Sequence, residues 1–262
     1  MGFVAKLAIL DGYVTGRDEK ICIKYPFTND SKDFWKKNIE SLDKSSGKFE
    51  IVQTNIENIS EEFAVVLNPF GEEYPEINRK SKAAFNALKN FIEDGGIYVN
   101  TAGFPFFYAW DVLEGKEYPL SEEMVVLPTA IQVKDGVPVI TEMQTLLKFT
   151  GTLLFKEFDA IPAPTSKKRK VYQNPEDKEK FGDLVEGLPE ITEFRGMPKS
   201  TKDCLPIIRA KDETVEEVYP ISALKRGNGY LVIAGMDTSG EMEANLFARA
   251  LNSFCVWFSK QL

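Results

Sequence analysis

Short apolar blocks separated by turn-forming residues dominate the first hundred positions. Lys6 to Leu10 (KLAIL) is a compact apolar run ending at Asp11-Gly12, which predicts a buried strand followed by a loop. The stretch 31–43 (SKDFWKKNIESLD) sets Phe34, Trp35, Ile39 and Leu42 at helical spacing behind Ser31, a good N-cap residue. Ser45-Ser46-Gly47 supplies its stop. A second strand is predicted over 49–56 (FEIVQTNI) and a third over Phe63 to Leu67, apolar on both faces as a central parallel strand should be. The clearest helix is 79–94, with Ala84, Phe85, Leu88, Phe91 and Ile92 in one stripe and Gly95-Gly96 as terminator. A fourth strand, IYVN, covers 97–100. The far end repeats this grammar: a turn and buried strand over 227–237, then a helix over 239–262 with Phe247, Ala250, Leu251, Phe254 and Phe258 on one side.

Strands alternating with helices imply an α/β fold whose sheet is mostly parallel and covered by helices on both faces. The whole chain, 1–262, reads as a single domain. Between 112 and 220 the pattern weakens, and this segment reads as a large insertion or subdomain before the last strand and helix. EMVVLPTAIQV and TLLFKEFDAI within it predict extra, antiparallel strands. The polar, Pro-containing stretch 161–183 reads as a long exposed loop or short-helix excursion. Its KKRK (167–170) is followed by Glu176, Asp177, Glu179 and Asp183, which makes it a solvated charge run rather than an import signal.

Composition removes whole classes of function. The net charge is −8 over 262 residues, so nucleic acid and anionic membranes are not expected partners. No apolar run approaches the length that spans a bilayer, and the N-terminus lacks the character of a signal peptide, so a cytoplasmic protein is expected. Cys22, Cys204 and Cys255 lie far apart, which argues against a zinc site or a disulfide framework, and Cys255 reads as a small buried hydrophobe. The decisive count is zero histidines. Without an imidazole, no Ser-His-Asp or Cys-His-Glu mechanism operates within this chain.

In an open parallel sheet, ligands sit beyond the carboxyl ends of the strands. Here those ends carry Asp11, then Asn68, Gly71 and Glu72, then Asn100, Thr101, Ala102 and Gly103, then Asp237, Thr238 and Ser239. These residues offer short polar groups and open amides suited to a small polar metabolite or a sugar. The same residues also serve as turns and caps in any α/β protein. Asp11, Glu72, Glu73 and Asp237 are candidates for a carboxylate pair or a metal site, provided the fold brings them together. The aromatic run Phe104, Phe106, Phe107, Tyr108 and Trp110 is suited either to stacking a ligand or to packing against the inserted region or a second subunit.

FAVVLNPFGEEYPE, AFNALKNFIEDGGIYVNTAG and the late GNGYLVIAGMD together resemble the class I glutamine amidotransferase-like superfamily, over about 4–110 and 225–262. The likeness is strongest to divergent members found alone or attached to carbohydrate-active proteins. It implies a flavodoxin-like sheet. Active members carry a cysteine in G-x-C-x-G at the elbow and a His and Glu late in the chain. The matching elbow here is Asn100-Thr101-Ala102-Gly103, with Ala102 nearest the position of the nucleophile, and the late His-x-Glu is absent. The resemblance therefore implies a scaffold stripped of its triad. Such a protein binds a small polar ligand or sugar or acts as an assembly module, with a homo-oligomer as one arrangement and no cofactor or metal. The alternative is a carboxylate-dependent, metal-assisted hydrolase acting on a carbohydrate or similar small molecule.

Overall fold

The computed structural model describes residues 3–11, 27–42, 47–71, 83–103, 108–110, 123–134, 137–148, 160–161, 168–186, 190–192, 197–198, 204–211 and 217–261. Five strands run parallel: β1 (Phe3–Leu10), β2 (Gly47–Thr54), β3 (Val65–Asn68), β4 (Ile97–Asn100) and β14 (Gly229–Ala234). They lie in the order β2-β1-β3-β4-β14, so the sequence of strands reverses between β1 and β3.

The sheet continues beyond β14 with four antiparallel strands, β13 (Glu217–Arg226), β12 (Cys204–Lys211), β9 (Lys168–Tyr172) and β10 (Glu190–Thr192). The result is a nine-stranded mixed sheet, less parallel than the pattern of the chain predicts. Gly227 makes the difference possible. At φ 58° it closes the tight turn that reverses the chain from β13 into β14. Outside this sheet stand a three-stranded sheet of β5 (Tyr108–Trp110), β6 (Glu123–Lys134) and β7 (Val137–Lys148), and the pair β8 (Ala160–Ile161) and β11 (Met197–Pro198). The strand expected from EMVVLPTAIQV coincides with β6, its partner β7 was not predicted, and most of TLLFKEFDAI lies outside the described residues.

Four helices occur among the described residues: α1 (Lys32–Glu40), α2 (Ala83–Glu93), α3 (Pro175–Phe181) and α4 (Glu241–Phe258). The pleat sends alternate residues of each strand to opposite faces, and each face has its own core. Leu7, Ile9, Val65, Leu67, Val99 and Val232 share one core with Trp35 of α1 and with Phe247, Leu251 and Phe254 of α4. Ala8, Leu10, Val66, Tyr98, Leu231 and Ile233 share the other with Leu88, Phe91 and Ile92 of α2. Helices thus cover both faces, as the alternating pattern predicts. Ser31 caps α1 by accepting the Phe34 amide, so the predicted start of that helix holds, while its end comes at Glu40.

The stretch 161–183 carries the short helix expected of it but is not simply an exposed segment. It contributes β9 and α3, and two of its charged residues are buried, Arg169 at 4% and Asp177 at 2% exposure. Asp177 tolerates burial because its carboxylate is shared by two partners. It caps α3 in a reciprocal box with Asn174, and it receives Arg209 from β12 at 2.6 and 3.3 Å. Cys255 is buried in α4 as expected, and Cys22 lies outside the described residues. No described helix is long and apolar enough to cross a membrane.

Candidate functional site

Asn68 and Asn100 end adjacent strands at the same register, side by side as the last rung of the β3–β4 ladder. Where strands stop, backbone groups lose their partners, and short amides replace them. Asn68 accepts the Phe70 amide on its Oδ1 (3.1 Å) and donates from Nδ2 to the Gly71 carbonyl and to Asn100 Oδ1 (3.2 and 3.3 Å). Asn100 donates from Nδ2 to the carbonyls of Ala102 (2.8 Å) and Gly103 (3.0 Å). Each amide therefore folds its own loop back across the strand end. Gly71 and Gly103 take φ of 60° and 66°, the left-handed turn that lets each loop curl so tightly. The Gly103 amide then donates to the Ala234 carbonyl at 2.8 Å, which ties the elbow to the end of β14.

Three threonines complete this floor. Thr28 donates to Thr101 Oγ1 at 2.8 Å, and Thr101 donates onward to the Asn68 carbonyl at 3.0 Å. Thr238 donates to the Thr101 carbonyl at 2.6 Å. Thr28 and Thr238 also meet in an isolated parallel bridge, and the Thr238 amide donates to the Phe27 carbonyl at 2.9 Å. Asn68, Asn100, Thr101, Ala102 and Thr238 have no exposed surface at all, and Thr28 retains 7%.

The fold thus brings together most of the strand-end residues singled out in the sequence and turns their polar groups on one another. Asp237 and Ser239 sit at the rim: the Asp237 carboxylate accepts both the amide and the hydroxyl of Ser239, at 2.8 and 2.6 Å. Asp11 sits apart, exposed beyond β1 and paired with Lys32 of α1. Glu72, Glu73 and the aromatics 104–107 lie outside the described residues, as do 12–26. Thr28 was not singled out from sequence. Its only signal is its place just before the Asn29-Asp30-Ser31 entry to α1.

The described thiols are not poised for attack. Burial pushes the Cys204 thiol up to about 12, and the Cys255 thiol is raised by the same cause. Among the described residues no group of three or more Asp, Glu, Cys or His side chains is placed to hold a metal ion.

No family model and no curated protein matches the chain. Among solved structures, a ThuA-like protein from Bacteroides uniformis aligns with 97% of this chain and 91% of its own length, at 12% identity and a TM-score of 0.47. Gan42B, a GH42 β-galactosidase from G. stearothermophilus, aligns with 94% of this chain at 10% identity and a TM-score of 0.45, and the chain spans only 29% of that enzyme. A cytoplasmic protein from Salmonella typhimurium LT2 aligns with 97% of this chain and 98% of its own, at 11% identity and a TM-score of 0.44. With TM-scores below 0.5, these likenesses do not assign the chain to a family.

Proposed function

We propose that this chain is a non-catalytic, amidotransferase-like binding protein. Its five parallel strands form a flavodoxin-like core, and the loops at their carboxyl ends hold a small, neutral polar metabolite or sugar over a preformed floor. The observation that carries this reading is the state of Thr101, the one hydroxyl at the elbow. It is fully buried and donates to the Asn68 carbonyl, beside an alanine, in a chain with no histidine to deprotonate it. Neutral ligands fit better than anions because Asp237, Glu241 and Glu243 place negative charge at the rim and in the first turn of α4.

The carboxylate-hydrolase alternative is weaker. Asp11 follows β1 and Asp237 follows β14, three strand spacings apart, or about 14 Å at ~4.8 Å each. Working carboxyl pairs stand roughly 5–9.5 Å apart. The test combines turnover and binding. Pure protein incubated with L-glutamine, or with p-nitrophenyl β-D-galactoside, should release neither ammonia nor nitrophenol above buffer. Saturation-transfer NMR with L-glutamine as the probe should show binding that Ser239→Trp, at the exposed rim, removes. Turnover abolished by Thr101→Ala or Asp237→Asn would overturn the reading, as would an absence of any binding sensitive to Ser239→Trp.

A further inference from the structure

At the opposite end of the sheet lies a cavity of about 960 Å³, within the usual size range of small-molecule sites. Its floor is aromatic. Tyr230, at the start of β14, packs edge-on against Trp257 and Phe258 of α4, with ring centroids 6.3 and 5.1 Å away. Tyr230 and Trp257 are only half-buried, so their rings present open surface to the cavity, while Phe258 is 8% exposed and backs them. Its rim is polar: Asn90 and Asp94 at the end of α2, and Asn228 in the β13–β14 turn, are all exposed.

Glycines make the wall rigid. A Cβ on Gly229 would lie 2.1 Å from the Ile92 carbonyl oxygen and 2.2 Å from that of Gly96, so only glycine lets the two turns approach so closely. Once together they are stitched: the Asn228 amide donates to the Glu93 carbonyl at 2.8 Å, and the Tyr230 amide donates to the Gly96 carbonyl at 3.1 Å. Asp94 and Asn228 are thereby held on facing turns across a fixed gap. Neither side chain is engaged in a hydrogen bond or ion pair among the described residues, so both are available to a ligand.

We propose that this amino-end cavity is a second binding site, for a pyranose. A sugar ring has an apolar C–H face and an equatorial edge of hydroxyls. The first matches the Tyr230–Trp257 surface, and the second matches the amide and carboxylate groups of Asn90, Asp94 and Asn228, which pair with adjacent hydroxyls as donors and acceptors. A planar aromatic would use the floor and leave the rim unpaired. A free polyol would use the rim and leave the floor uncovered. The site stands independently of the carboxyl-end reading, because the two lie at opposite ends of the same strands.

The experiment is saturation-transfer NMR on the full chain with methyl β-D-glucopyranoside and methyl β-D-galactopyranoside as probes and glycerol as the control without a ring face. Saturable transfer at millimolar concentration is expected for at least one glycoside and absent for glycerol. Asn90→Trp, a surface change that fills the cavity mouth, should abolish it. Asp94→Asn should weaken binding roughly tenfold through loss of one charged hydrogen bond. Ser239→Trp should leave it intact. Unchanged melting of each variant controls for folding. Absence of saturable transfer from both glycosides would overturn the proposal, and so would transfer that survives Asn90→Trp. Transfer removed by Ser239→Trp alone would place the sugar at the carboxyl ends instead.

Discussion

Thr238 shows how much one hydroxyl carries at the strand-end floor. It is fully buried, and its donation to the Thr101 carbonyl joins the last parallel strand to the elbow. Thr238→Val keeps the shape and removes the donor, leaving a buried carbonyl without that partner. The expected loss is about 1–3 kcal/mol in urea unfolding. Ser239→Ala, one residue on at the exposed rim, should cost no more than about 0.5 kcal/mol. Equal effects would mean that the buried chain of threonines is not what fixes the floor. The described thiols make a second prediction at this scale. Because burial holds the Cys204 thiol near 12 and raises that of Cys255, neither should be alkylated at pH 8 on the timescale that labels an exposed thiol, as peptide mapping would show. Rapid native-state labelling at Cys204, which is half-buried, would show that its thiol is not raised.

Arg209 plays the joining role among elements. Its guanidinium grips Asp177 of α3, donates to Glu217 of β13 at 2.9 Å, and lies over the Tyr219 ring at 5.3 Å. Tyr172 of β9 donates its hydroxyl to the other oxygen of Glu217. One cation thus binds the antiparallel extension of the sheet to its covering helix. Arg209→Leu leaves the 3%-exposed Asp177 side chain without its cation and should cost about 3–5 kcal/mol. A loss below about 1 kcal/mol would show that the network is ornamental. The same cluster sets an acid limit. Burial pushes the Glu217 carboxyl up, but hydrogen bonding from Tyr172 and the charge of Arg209 outweigh it, so the folded value lies below the ordinary 4.5. A carboxyl depressed in the folded state contributes its full stability above the unfolded value and loses it as pH falls through the folded one. Stability should therefore decline on acidification below about pH 4.5, and Glu217→Gln should shallow that slope. An identical slope in the variant would remove Glu217 from the account.

This cluster also shows where the sequence stops being readable. The parallel core is legible because its strands are continuous apolar runs and its helices carry single apolar stripes. VVLN and IYVN are buried at every position, and the Gly-Gly stop after α2 falls as expected. The antiparallel extension is hidden because its logic is pairwise. Nothing near Asp177 announces an arginine 32 residues away, and KRKVY reads as charge until Arg209 and the strand partners are in place. The candidate site was legible in position but not in posture. Asn68, Asn100, Thr101 and Thr238 occur where the ligand rule puts them, yet their inward-facing hydrogen bonds depend on register across three strands. The amino-end cavity left almost no trace, since its aromatic floor comes from residues spaced to pack a helix.

Across the whole molecule, burial is graded from the middle of the sheet outward, and this predicts the order in which the molecule opens. Leu7 to Leu10, Val65 to Asn68, Ile97 to Asn100 and Leu231 to Ala234 are each at most 3% exposed, and their strands are hydrogen-bonded on both sides. At the edges, β2 exposes Lys48, Glu50 and Gln53, and β10 pairs through only three residues. Charged, half-covered edges resist pairing with other chains, but they leave backbone hydrogen bonds open to water. Native-state hydrogen exchange should accordingly resolve a slow unit of β1, β3, β4 and β14, protected to the level of global unfolding, and faster exchange in β2 and β10. The antiparallel strands β12 and β13 should fall between these, and Arg209→Leu should move them toward the fast group while leaving the parallel unit unchanged. If β12 and β13 stay with the parallel core in that variant, the two halves of the sheet unfold as one body. Arg209 then stabilises the whole sheet rather than the seam it visibly bridges.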